Sequence, residues 1–199
     1  PVRDEYGRYS NPTQSVAEAK LAALEGAEGA LLFASGMAAI TTTMATLLSA
    51  GDHLVLVRDC YHRTREFALT FLQRWGIETT LLPAAEVASL PDLVRPETRL
   101  IFCEVPTNPY LRVVDLARVA EVARSCGALT VVDSTFATPL NLRPLALGAD
   151  LVIHSATKYL GGHNDLLAGV VAGPRPLLAR LEKARGVMGG ISNPHDAYL

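Results

Sequence analysis

Of 18 basic residues only three are lysines, so an amine able to attack a carbonyl has few places to come from. Lys20 sits in a charged helical stretch near Glu18, and Lys183 lies between Glu182 and Arg185; both read as solvated surface. Lys158 differs, because it closes the segment His154-Ser155-Ala156-Thr157-Lys158 directly after the apolar run Leu151-Val152-Ile153. Ser155 and Thr157 are two apart, so in an extended segment their hydroxyls share one side. Two hydroxyls beside an ammonium make a phosphate receptor, although a loop lysine bonded to nearby carbonyls has the same spacing. Asp133 likewise ends the run Leu129-Thr130-Val131-Val132. A carboxylate there is either a cap for a turn or helix, or a group held in an apolar wall facing a ligand cation or a protonated ring nitrogen.

Ser35-Gly36-Met37 lies between a short apolar run and a long helical stretch. Glycine at a helix start lets backbone N–H groups approach an anion, which the helix dipole also favours. Tyr61 follows a strand closely and is either a stacking aromatic or a rim tyrosine. Together the candidates describe one ligand, with a phosphate for Gly36, Met37, Ser155 and Thr157 and an aromatic ring for Tyr61. Asp133 would take its ring nitrogen and Lys158 its aldehyde. Pyridoxal 5'-phosphate (PLP) has all these parts, and a lysine Schiff base with an acidic partner at the ring nitrogen is the expected arrangement for it. The amine freed when substrate displaces it serves as a proton carrier.

These residues need a scaffold. Strands are expected at residues 30–33, 53–57, 77–82, 100–105, 129–132, 151–153 and 167–171, and helices at 36–49, 63–74, 115–125 and 176–185. Asp115 is the expected N-cap of the third helix and Gly127 its stop. Strands alternating with helices predict an α/β fold, a three-layer αβα sandwich with a mainly parallel sheet. Such sheets bind ligands at the carboxyl ends of their strands, where Asp133 and Lys158 fall.

Composition narrows the classes. A chain of 199 residues with 49% hydrophobic and 19% charged residues supports one well-buried core. A net charge of −2 argues against a nucleic-acid partner. No apolar run reaches the ~18 residues of a membrane span, so no membrane association is expected. Three cysteines without a C-x-x-C pair, and five histidines without ligand spacing, predict no metal site and suit a reducing cytoplasm. The chain begins with Pro1, so it is expected to start inside a longer protein. A non-catalytic phosphate-binding module, or a truncated assembly partner, stays open as an alternative; the lack of G-x-G-x-x-G and Walker loops counts against a nucleotide module.

Five segments, in order, resemble the Cys/Met-metabolism (trans-sulfuration) PLP-dependent enzymes of fold type I. They are Tyr6-Gly7-Arg8-Tyr9-Ser10-Asn11-Pro12-Thr13, Ala34-Ser35-Gly36-Met37-Ala38-Ala39, Pro106-Thr107-Asn108-Pro109, Val132-Asp133-Ser134-Thr135-Phe136-Ala137-Thr138-Pro139 and Ser155-Ala156-Thr157-Lys158-Tyr159-Leu160-Gly161-Gly162-His163. The resemblance implies that Lys158 is the Schiff-base lysine, Asp133 the ring-nitrogen partner, and Tyr61 a stacking residue that assists proton transfer. Gly36, Met37, Ser155 and Thr157 become phosphate ligands, and Asn108 stands near the phenolic oxygen. Tyr6 and Arg8 would reach a neighbouring subunit's phosphate, which makes the protein a homo-oligomer, in the family usually a dimer of dimers. Residues 1–20 then form an N-terminal arm and 21–199 the PLP-binding large domain. The family's C-terminal domain, which carries an arginine for the substrate carboxylate, is expected to be absent here.

The basic turn Tyr61-His62-Arg63-Thr64, with Glu5-Tyr6-Gly7-Arg8-Tyr9 and the ending Asn193-Pro194-His195-Asp196-Ala197-Tyr198-Leu199, is most similar to the plant-type cystathionine γ-synthase branch. This implies γ-replacement on small amino-acid substrates, joining an activated homoserine ester and cysteine, with His62 and Arg63 near an anionic leaving group. Elimination of the cystathionine γ-lyase or β-lyase type would use the same cofactor residues.

Overall fold

The computed structural model describes residues 6–199, so the first five residues of the expected arm lie outside it. Helix α1 (Pro12–Glu25) starts on an Asn11 cap with proline in its first turn and stops at Gly26, which takes the left-handed conformation. It crosses the expected boundary at residues 20 and 21. Its inner face also belongs to the sheet layer, where Glu18 Oε1 accepts the N–H of Leu32 at 2.8 Å. Among the described residues, 6–11 precede α1. The helix was hard to delimit because buried Gln14 and Glu25 interrupt its apolar stripe.

The chain continues through β1 (Gly29–Phe33), α2 (Gly36–Leu47), β2 (His53–Val57) and α3 (His62–Phe67). A π-helical turn, Ala68–Leu72, extends α3, so the helix expected over 63–74 changes pitch midway. Then come β3 (Glu78–Leu82), a 3-10 turn, α4 (Leu90–Leu93), β4 (Thr98–Glu104), α5 (Leu116–Cys126), β5 (Leu129–Asp133) and α6 (Thr138–Asn141). After a second 3-10 turn, β6 (Leu151–Ser155), β7 (Gly169–Gly173), α7 (Arg175–Met188) and α8 (Pro194–Tyr198) complete the described chain. Asp115 caps α5 by accepting from the Arg118 N–H at 3.1 Å, and Gly127 ends it in the left-handed region, as its sequence predicts.

The seven strands form one sheet in the order β1-β7-β6-β5-β4-β2-β3. All pairs are parallel except those of β7, which returns directly from β6 without a crossover helix and runs against both neighbours. Strand residues alternate between faces. Leu54, Leu56, Leu100, Phe102, Val131 and Ile153 pack under α2, α3 and α7. Val55, Val57, Ile101, Cys103 and Val132 pack under α5, while Ala30, Leu32, Val152 and Val170 pack under α1. This is the predicted three-layer sandwich. No described helix is long and apolar enough to cross a membrane.

Candidate active site

The carboxyl ends of β4, β5 and β6 meet the amino end of α2 around a cavity of about 250 Å³. Eight predicted residues line it: Gly36, Met37, Tyr61, Asn108, Asp133, Ser155, Thr157 and Lys158. Tyr6 and Arg8 do not line it. Arg8 instead donates from Nη1 to the Gly186 carbonyl at 2.8 Å and lies over the rings of Tyr6 and Tyr9, 5.1 and 5.2 Å from their centroids.

One wall is the start of α2. Ser35 caps the helix through its side chain, which accepts from the Ala38 N–H at 3.0 Å. The N–H groups of Gly36 and Met37 have no acceptor among the described residues. Gly36 must be glycine, because a Cβ there would lie 2.7 Å from the Ser155 Cβ and 3.0 Å from its Cα. Gly169 packs against the same turn from the other side, where a Cβ would lie within 2.1 Å of the Ser35 carbonyl oxygen. The two glycines press the helix start onto the end of β6.

The second wall differs from the expectation. The chain is not extended through Thr157, because β6 ends at Ser155 and a turn follows. The Thr157 hydroxyl donates to the Ala168 carbonyl at 3.2 Å and accepts from the Ala168 N–H at 3.1 Å, which pins the turn. This pinning also moves the last strand to 169–173 from the expected 167–171. Ser155 Oγ and Lys158 Nζ have no hydrogen-bond partner among the described residues.

Asp133 forms the floor at 5% exposure. Its Oδ1 accepts the N–H of Thr135, at 3.0 Å, and the Thr135 hydroxyl. Its Oδ2 has no hydrogen bond among the described residues and is left for a ligand. Burial pushes the carboxyl above its ordinary range, while the two Thr135 bonds and nearby His154 hold it down. Thr135 also accepts the Ser155 N–H at 2.8 Å, so one hydroxyl ties the Asp133 wall to the Ser155 wall. Sequence reasoning missed Thr135, although a threonine two residues after an aspartate is a recognisable side-chain turn.

It also missed Glu104, which lines the cavity at 4% exposure and accepts the Tyr61 N–H at 2.6 Å. Burial, reinforced by Asp133, raises its carboxyl to about 8. The signal was available, since Glu104 is a carboxylate at the end of an apolar strand, the feature that singled out Asp133.

Tyr61 and Asn108 also border a second, polar cleft of about 450 Å³, which holds Arg58, His62 and Arg65. Arg63 is not there; it pairs with Glu66 at 2.6 Å beside Phe67 and Trp75. Among the described residues no group of three or more metal-binding side chains occurs.

A glycine-cradled pair of free N–H groups, a free serine hydroxyl, a free amine and a buried carboxylate with one unused oxygen fit the phosphate, aldehyde and ring nitrogen of PLP. The family model described as Cys/Met metabolism PLP-dependent enzyme matches residues 2–199. The chain is 51% identical over 196 residues to the chloroplastic cystathionine gamma-synthase 1 of Nicotiana tabacum, covering 98% of this chain and 36% of that one. It is 45% identical to the L-methionine gamma-lyase of Pseudomonas putida, covering 98% and 49%. The crystal structure of metB from Corynebacterium glutamicum superimposes with a TM-score of 0.95 at 40% identity, covering 98% of this chain and 51% of that chain. The chain thus spans roughly a third to a half of the length of these relatives.

Proposed function

The chain belongs to the Cys/Met metabolism PLP-dependent enzymes, and from that membership we propose that it is the cofactor-binding part of an enzyme that joins an activated homoserine ester to cysteine, giving cystathionine by γ-replacement. The observation that carries this reading is the polar cleft of Arg58, His62 and Arg65, which opens beside Tyr61 and Asn108. A γ-replacement on homoserine needs an anionic ester arm to leave, and this cleft offers cations next to the cofactor cavity. Arg63, turned to Glu66, takes no part.

Within the cavity the chain's own groups divide the work. The N–H groups of Gly36 and Met37, with the Ser155 hydroxyl, would bind the phosphate, and the Thr157 hydroxyl, committed to Ala168, would fix the turn beside it and not donate to it as expected; the helix start adds a favourable dipole. Lys158 would anchor the cofactor at its aldehyde carbon. Asp133 Oδ2 would hold the proton on the ring nitrogen. Tyr61 would cover the ring, and Asn108 would stand by the phenolic oxygen. Bound PLP supplies the electron sink for charge developing at the substrate Cα. Lys158 Nζ would carry protons at the substrate Cα and Cβ, and the Tyr61 hydroxyl would assist. Tyr6 and Arg8, which leave the cavity of their own chain unlined, complete the phosphate site of a neighbouring copy, so the working enzyme is a homo-oligomer.

A second reading is elimination, since a relative of 45% identity is a methionine gamma-lyase and lyases need the same cofactor residues. Product analysis separates the two. Cystathionine formed from homoserine ester plus cysteine supports replacement, and consumption of cystathionine alone supports elimination. Borohydride treatment should fix the cofactor to a peptide that contains Lys158; labelling elsewhere refutes the site.

A further inference from the structure

Glu104 has no part in the roles above, yet it shares the cavity with Asp133. β4 and β5 run parallel with Glu104 registered against Asp133, so the two carboxyls stand level on strands about 4.8 Å apart. Both line the cavity, and both are buried. Two anions so close in a site of low dielectric repel each other far above thermal energy, so one proton stays on the pair.

The surroundings decide which carboxyl keeps it. Asp133 receives two hydrogen bonds from Thr135 and stands near His154, all of which favour its anion. Glu104 receives a single N–H, from Tyr61. The groups near Glu104 from the other elements are the Cys60 thiol and Tyr61 from the turn before α3, Arg65 beyond Cys60 and Lys158 across the cavity, while Cys103, next to it on β4, points to the opposite face. Burial pushes both thiols up to about 12, so neither is an anion near neutrality.

We propose that Glu104 is a positioning residue that works as a neutral carboxylic acid, holding the Tyr61 backbone over the cofactor while confining the pair's single negative charge to Asp133. The burial that raises Glu104 to about 8 is consistent with this division. As pH rises through that value, a second charge appears beside Asp133, and the cofactor's environment changes. The inference rests on the cofactor site and holds for replacement and elimination alike.

The test uses the holoenzyme, Glu104→Gln and Glu104→Ala. The visible absorption of the bound cofactor is titrated from pH 6.5 to 9.5, and the PLP dissociation constant is measured at pH 7. The wild type should show a spectral step near pH 8. Glu104→Gln, the isostere of the neutral acid, still accepts the Tyr61 N–H; it should bind PLP within ~3-fold of wild type and lose the step. Glu104→Ala strands that N–H and should bind ~10-fold or more weakly. A wild-type step that survives in Glu104→Gln assigns the titration elsewhere and overturns the proposal, as does Glu104→Gln binding as weakly as Glu104→Ala. If Glu104→Ala fails to fold, the comparison of Glu104→Gln with wild type decides. None of these readouts uses turnover, so an error in the reaction type leaves them unchanged.

Discussion

Gly36→Ala probes the close approach that builds the phosphate wall. The added Cβ would lie 2.7 Å from the Ser155 Cβ and 3.0 Å from its Cα, against an optimum near 3.5–4.0 Å for carbon pairs. Ser155 cannot give way easily. Its N–H is held by Thr135 Oγ1 at 2.8 Å, and its backbone is registered against Gly169 on β7. The start of α2 must therefore retreat by roughly 1 Å. Overpacking of this kind costs about 1–3 kcal/mol of stability. The larger consequence is for the ligand. Each N–H to a charged acceptor is worth about 1.5–3 kcal/mol, so loosening one of the two at Gly36 and Met37 should weaken PLP by ~10- to 150-fold. Gly26→Ala is the control. Gly26 has φ +67 and open space around its Cβ position, so alanine there should cost about 1–2 kcal/mol through strain alone and leave PLP affinity unchanged. PLP binding by absorbance and unfolding by urea would be measured for both. A Gly36→Ala protein that loses no more stability than the control and binds PLP within ~2-fold of wild type would refute the reasoning.

Thr135→Val removes the hydroxyl bond to Asp133 and strands the Ser155 N–H; it should lower unfolding stability by about 1–3 kcal/mol and weaken PLP, as read by urea melts and a binding titration. Arg185→Met breaks a pair with Glu18 at 2.7 Å in which the arginine is 1% exposed; denaturant unfolding should show a loss of about 3–5 kcal/mol, partly recovered in the double variant with Glu18→Gln. Glu104 is raised from 4.5 to about 8, so the folded chain binds the extra proton between those values; stability of the cofactor-free protein should fall as pH rises across that window and level off above about 8. Burial raises Asp133 as well, so the fall belongs to the pair, and Glu104→Gln should reduce the slope of Tm against pH across that window.

Most of the fold was legible because its strands follow simple rules. β2 is five buried residues between Asp52 and Arg58, four of them apolar, and its bounds match the expectation to the residue. α5 has an aspartate at one end and a glycine at the other, with a clear apolar face. β7 was misplaced by two residues. Leu167 looks like strand but is 61% exposed, whereas Gly169 and Gly173 look like turn but are buried because neighbouring backbone leaves no room for a side chain. Arg63 was misread for a different reason. Sequence spacing cannot show that a turn of helix points it at Glu66 while Arg58 and Arg65 reach the polar cleft.

The cofactor site follows the same division. Residues at strand ends announce themselves, since a charge after an apolar run has few structural uses, and Asp133 and Lys158, which line one cavity, were singled out that way. Residues that act by joining two elements are silent, because their partners are far away in sequence. Glu104 meets Tyr61 across 43 residues, and Thr135 meets Ser155 across 20. Both are hydrogen-bonded links between neighbouring strand ends, and both reach the groups that would touch the cofactor. Local pattern therefore finds the candidate groups for the chemistry, while strand register supplies the groups that hold them. A parallel sheet makes this general, because its register places consecutive carboxyl ends side by side. A polar residue at one strand end is then a reason to search the ends of both neighbouring strands for its support.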